Sequence, residues 1–271
     1  MTVFDIPRLL EYQFFRNALL GGAIAALVCA WIGIFLILRR EAMLVDGVAH
    51  TAFGGIAVGL YLGIDPMLGG LAISVLSVLG ISAMRRRGMA HSDAATAVML
   101  AIGFSTGLVV ISLAEVSNVE LMGYLFGSIL TIDAADLRTV AALAVISMGF
   151  LGVFHKELLA MTFDEGAARL TGVPVRPLSI AFNVLVAFTI VLSIQVIGIV
   201  LVVAFIVIPG LTALQLRLSF RGTLVAAAGL GVLSAVAGIV LGAVYDVATS
   251  GIIVFSMAGM FLFVAAYRRL E

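Results

Sequence analysis

Residues 44–63, LVDGVAHTAFGGIAVGLYLG, carry an aspartate and a histidine four positions apart, Asp46 and His50, in a stretch where nearly everything else is apolar or small. About 20 such residues in a helix cross the hydrocarbon of a bilayer. On a helix, positions i and i+4 share a face. Ionisable groups at bilayer depth are costly and persist where they line a pathway or hold a ligand. A carboxylate oxygen and an imidazole nitrogen on one face can together ligate a divalent transition metal. The stretch therefore reads as a membrane helix with a chemical purpose.

The rest of the chain agrees with a lipid solvent. Its 271 residues are 63% hydrophobic and 11% charged, with a mean hydropathy of +1.26. A soluble domain of this size could not cover so much apolar surface with so few charges. The formal net charge is zero, so no basic field points to nucleic acid. Cys29 is the one cysteine; it can form no intrachain disulfide and reads as helix packing. The start of the chain mixes charged and apolar residues, unlike a cleavable signal peptide.

Apolar runs place spans near 15–38, 44–63, 66–84, 94–114, 137–155, 177–195, 197–215, 223–243 and 249–267. The expected fold is all-α and polytopic, with about nine crossings (eight to ten) in a single transmembrane domain over 1–271. Residues 177–216 contain no charge and should turn near Gln195 to Gly198. The apolar piece 121–132 is too short to cross and reads as a re-entrant or interfacial segment. Small-residue clusters such as Gly54, Gly55 and Gly59 let helices approach closely in lipid.

Charge orients the bundle. Arg39, Arg40, Arg85, Arg86, Arg87, Lys156, Arg169, Arg176, Arg217, Arg221, Arg268 and Arg269 all fall on one side of an alternating topology. The positive-inside rule makes that side cytoplasmic. Only Arg8, Arg16 and Arg138 fall elsewhere, and the opposite loops carry Asp65, Glu115, Glu120, Asp133, Asp136 and Asp246. The N-terminus then faces out. Asp46 and His50, six and ten residues after Arg40, sit roughly 9 and 15 Å deeper in a continuous helix.

The longest polar interruption, HKELLAMTFDEGAARLTGVPVRP at 155–177, reads as a short cytoplasmic helix in a segment of about 156–176. Phe163, Ala167 and Leu170 can share one face. Acids at its start and Arg169 near its end suit the helix dipole, and Gly172 followed by Pro174 suits a stop. It is either a docking surface for a soluble partner or a plain connection.

Several chemistries lack their motifs. There is no G-x-x-x-x-G-K-[ST] phosphate loop and no H-E-x-x-H zinc motif, and no G-x-S-x-G nucleophile. His91 and His155 read as loop histidines without a second ligand at helical spacing.

In order and spacing, several stretches resemble the permease subunits of ATP-binding-cassette importers for zinc, manganese and iron. Residues 14–59, FFRNALLGGAIAALVCAWIGIFLILRREAMLVDGVAHTAFGGIAVG, resemble the family's opening with its D-x-x-x-H-x-x-x-x-G. SDAATAVMLAIGFSTGLVVIS at 92–112 is similar to its fourth helix, YLFGSIL at 124–130 to its Leu-Phe-Gly element, and FDEGAARLTGVPV at 163–175 to its coupling segment. VLVVAFIVIPGLTALQL at 200–216 and YDVATSGIIV at 245–254 resemble its later spans. The chain departs from the family's habit at Ala49 and Thr51, at Gly210 to Ala213, and at Ser250.

The resemblance implies a type II importer-like permease in the inner (plasma) membrane. It would pair with a second copy, two ATP-binding subunits and an extracellular metal-binding receptor. It implies no cofactor, only a divalent metal ion as transported substrate, and no nucleotide site or enzymatic activity of the permease's own. The pathway acid and histidine of the family fall on Asp46 and His50. Its ATPase-coupling contacts fall on Asp164, Glu165, Ala167, Ala168, Leu170, Gly172 and Val173.

Other readings of the residues stay open. Asp46 and His50 could hydrogen-bond each other and only fix packing. They could relay protons in a secondary metal carrier that needs no ATPase. A membrane enzyme or sensor holding a metal in its bundle is a third class.

Overall fold

The computed structural model describes residues 9–89, 91–114, 123, 125, 127 and 132–270. Among them there is no strand. The helices are α1 (Gln13–Leu38), α2 (Met43–Leu62), α3 (Pro66–Arg86), α4 (Ser92–Ala114), α5 (Ala134–Phe163), α6 (Glu165–Leu170), α7 (Val175–Ile197), α8 (Ile199–Gln215), α9 (Phe220–Tyr245) and α10 (Thr249–Leu270). Eight of them are long and apolar enough to cross a membrane. With 17 residues, α8 falls just short of that length. Each expected span therefore has its helix, and the charge-free stretch turns at Gly198, whose φ of 79° favours glycine. The apolar piece 121–132 lies mostly outside the described residues.

Two differences concern the polar interruption. Helix α5 runs 30 residues to Phe163, about 45 Å, well beyond the hydrocarbon thickness. It therefore carries His155 and Lys156 as helical residues, and the His155 ring Nδ1 lies 2.7 Å from the Gly152 carbonyl. The short helix α6 starts later than expected because Asp164 caps it, accepting from the backbone N–H groups of Gly166 and Ala167 at 2.8 and 3.0 Å. Phe163 thus belongs to α5, and the residue α6 buries is Ala168. The expected Phe163–Ala167–Leu170 face is not formed. Gly172, at φ 86°, ends the helix as the sequence indicated.

Packing divides the chain into two compact units. The first takes Met1–Ile37, Gly123–Val145 and Ser193–Glu271. Here α8, α9 and α10 pack on one another. Helix α1 meets α8 so closely at Gly33 that a Cβ there would collide with the Ile206 carbonyl oxygen. Cys29 is buried, its thiol 3.9 Å from the Ser193 hydroxyl, in line with a packing role. Asp133 starts α5: the backbone N–H groups of Asp136 and Ala135 donate to its carboxylate and hold it below the usual carboxylate range.

The second unit takes Leu38–Met122 and Ile146–Leu192. Its centre is α2, packed on α3 and α4. Glycines set that contact: a Cβ on Gly54 would meet the Gly103 carbonyl oxygen of α4, and one on Gly55 the Gly69 carbonyl oxygen of α3. Without a hydrophobic drive between helices in lipid, such backbone approach supplies the attraction. Asp65 caps α3 through the N–H groups of Met67 and Leu68, with Pro66 at its first turn. Proline suits that position because its missing N–H would have no helical partner anyway.

Candidate functional site

Helix α2 is buried almost all round: from Leu44 to Ala57 the side chains are covered except at two positions, Asp46 and His50. The helical period brings the two side chains to one face. His50 Nε2 lies 3.5 Å from Asp46 Oδ1, with 30% of the histidine and 41% of the aspartate side chain exposed. That separation is at the edge of hydrogen-bond reach. The other ring nitrogen, Nδ1, is buried with no partner among the described residues. The imidazole stacks obliquely beside Phe104 of α4 at 5.3 Å between ring centres. Phe104 in turn meets Phe53 at 5.9 Å. An aromatic wall therefore limits the ring's motion on one side and leaves the carboxylate side open.

This geometry has a chemical meaning. Buried polar groups left without a partner cost free energy. Here the acid keeps free lone pairs and the imidazole an orphan nitrogen. No group of three or more His, Cys, Asp or Glu side chains able to hold a metal forms among the described residues. One chain thus offers two donors of mixed hardness and no more.

A second ionic cluster, missed from the sequence, anchors the start of α2. Glu41 is only 4% exposed. Arg85, from the end of α3, donates to Glu41 Oε1 at 2.6 Å. Arg39 Nη2 donates to Glu41 Oε1 at 3.4 Å, and its Nε lies 3.3 Å from Oε2, close enough for an ion pair but off hydrogen-bond alignment. The Arg39 guanidinium also donates to the Ser179 hydroxyl at 2.7 Å and lies 5.3 Å from the centre of the Phe182 ring. The signal was Glu41 directly after two arginines, but a loop position hides the burial that gives it weight.

The coupling-type residues lie together at the α5–α7 connection. Asp164 is the cap, and Glu165 pairs with Arg169 at 3.3 Å on the exposed surface. Ala167 and Leu170 are exposed and Ala168 is buried. The Val173 N–H donates to the Ala168 carbonyl at 3.0 Å, closing the turn at Gly172. Two large apolar side chains stand out here without cover: Phe163 is 85% and Leu170 92% exposed.

The ABC 3 transport family matches residues 11–268, nearly the whole chain. The chain belongs to that family. Among relatives of this ABC 3 permease is the manganese transport system membrane protein MntC of Halalkalibacterium halodurans, 31% identical over 95% of this chain and 88% of that protein. The "Probable iron transport system membrane protein" of Haemophilus influenzae is 28% identical over 97% of this chain and 96% of its own length. Among solved structures, PsaBC from Streptococcus pneumoniae in complex with Fab superposes with a TM-score of 0.87 at 27% identity, covering 97% of this chain and 95% of that one. The chain is thus a multi-span helical permease of ABC importer type, located in the inner or plasma membrane.

Proposed function

We propose that this permease moves a divalent transition-metal ion, Zn, Mn or Fe, into the cytoplasm, and that Asp46 and His50 line its pathway or gate. The observation that carries the proposal is the half-open pair on an otherwise covered helix. A bare divalent ion cannot enter hydrocarbon, so the route must replace part of its water. An oxygen and an imidazole suit Zn, Mn and Fe alike. The relatives' names speak of manganese and of iron, which supports the class of cargo and leaves the choice of ion to direct assay.

Two donors make an incomplete shell. A second copy of the chain across a two-fold axis would supply two carboxylates and two imidazoles, and the chain is proposed to work as such a dimer. A site that must release its ion needs weak or transient ligation, which an open pair provides better than a closed cage. Two ATP-binding subunits would drive the cycle by docking on the segment Asp164 to Val173, where exposed Phe163 at the end of α5 and Leu170 on α6 offer apolar anchors. An extracellular receptor would deliver the ion.

The test is metal accumulation in cells. Asp46→Asn and His50→Ala should each reduce uptake to background while membrane expression and ATPase association persist. Normal accumulation in both variants would remove the pathway assignment. An acid and an imidazole 3.5 Å apart would also serve a proton relay. Ionophore-sensitive uptake by proteoliposomes holding this chain alone would favour that carrier reading over ATP-driven import.

A further inference from the structure

Beyond the transport pair, the second unit holds a cleft of about 510 Å³ whose walls are strongly basic. Four guanidinium groups line it from three elements: Arg85 and Arg86 at the end of α3, Arg169 on α6, and Arg176 at the start of α7. Two carboxylates offset them. Glu165 pairs with Arg169 at 3.3 Å, and Glu41 pairs with Arg85 at 2.6 Å. Arg86 and Arg176 have no ion pair or hydrogen bond among the described residues. The cleft therefore carries two uncompensated positive charges that point to an anion.

We infer that this cleft binds the phosphodiester of an anionic lipid headgroup. Its position argues for lipid even beside α6, the segment proposed above to dock the ATP-binding subunits. Two of its walls are the ends of membrane-crossing helices, α3 and α7. Its lining reaches Ser82 and Ile180, about one turn inside those ends, or roughly 6 Å. That is the level at which headgroup phosphates meet span termini. Basic pockets between membrane helices bind such headgroups. Guanidinium forks match phosphate oxygens in bidentate geometry. The volume exceeds what a single carboxylate side chain would fill and has room for a glycerophosphate.

The site has a structural consequence. Arg85 faces the cleft and also grips Glu41, two residues before α2 begins. A headgroup there would lean on the same guanidinium that anchors the helix bearing Asp46 and His50. The inference does not depend on which ion is carried or on which side of the membrane the cleft lies.

The experiment uses the complete transporter complex in nanodiscs and mass spectrometry of retained lipid, with phosphatidylglycerol and phosphatidylcholine as probes. Wild type should retain phosphatidylglycerol in preference to phosphatidylcholine. Each guanidinium lost should weaken that binding about fivefold, and Arg86→Gln with Arg176→Gln together roughly thirty-fold. Both residues are exposed and unpaired, so folding should survive. Arg86→Lys with Arg176→Lys checks this, since the charge should restore most of the preference. Three results would overturn the inference. One is equal retention by wild type and the glutamine double variant. Another is occupancy by inorganic phosphate that phosphatidylglycerol does not displace. The third is a Ser82→Cys cross-link to the ATP-binding subunit in a complex holding no lipid at the cleft.

Discussion

Two ionic groups sit within ten residues of each other and are built in opposite ways. At the start of α2, Glu41 is 4% exposed, with Arg39 and Arg85 both in ion-pair range. One helical turn further in, Asp46 has a single loose partner, and His50 keeps one nitrogen with no described partner at all. The first group is enclosed and neutralised by ion pairs, although Arg39 Nη1 and Glu41 Oε2 make no hydrogen bond among the described residues; the second is partly exposed and weakly paired. The contrast separates a buried, doubly paired charge from a half-exposed, singly paired one on one helix. A buried ion is tolerated when its neighbours neutralise it, whereas an ion left with free lone pairs on an accessible face is suited to a visiting cation.

The contrast can be broken by thermal unfolding of purified variants. Glu41→Gln strands the Arg39 guanidinium without its anion and should cost about 3 kcal/mol of stability. Asp46→Asn and His50→Ala should each cost under about 1 kcal/mol, because the pair is half-exposed and weakly bonded. Reversed costs would make Asp46–His50 the packing element and end the distinction. A smaller effect sharpens it at α6: Asp164→Ala removes the cap on two backbone N–H groups and should cost about 1 kcal/mol of local helix stability. Hydrogen exchange over residues 165–170 would register the loss. The smallest change is expected at Glu165→Gln. This breaks an exposed surface pair worth roughly 0.3 kcal/mol, so unfolding should barely move. A large destabilisation there would mean that α6 is held by ionic contacts and not by its cap and Ala168.

Spans and their turns were readable because lipid demands long apolar runs and allows few exceptions. The break near Gly198 followed from a charge-free run long enough for two crossings, and the stop at Gly172 from that glycine followed by Pro174. Asp46 and His50 were readable because acid and imidazole are conspicuous against an apolar background. The α6 face was misjudged because capping outweighed the apolar spacing: Asp164 fixes where the helix starts, and that start assigns Phe163 to α5. The Glu41 cluster escaped because its weight comes from Arg85, 44 residues away, and from burial that only tertiary packing creates. Phe104 escaped for the same reason, as one aromatic among 17 phenylalanines.

Crystals of the complete transporter complex soaked with Zn²⁺, and anomalous scattering at the zinc edge, would show whether Asp46 and His50 hold the ion. A zinc peak is expected about 2.1 Å from the Asp46 carboxylate and a His50 ring nitrogen, absent in the Asp46→Asn variant. An ion held elsewhere along the bundle, with this pair metal-free and the variant binding zinc as wild type does, would contradict the pathway assignment.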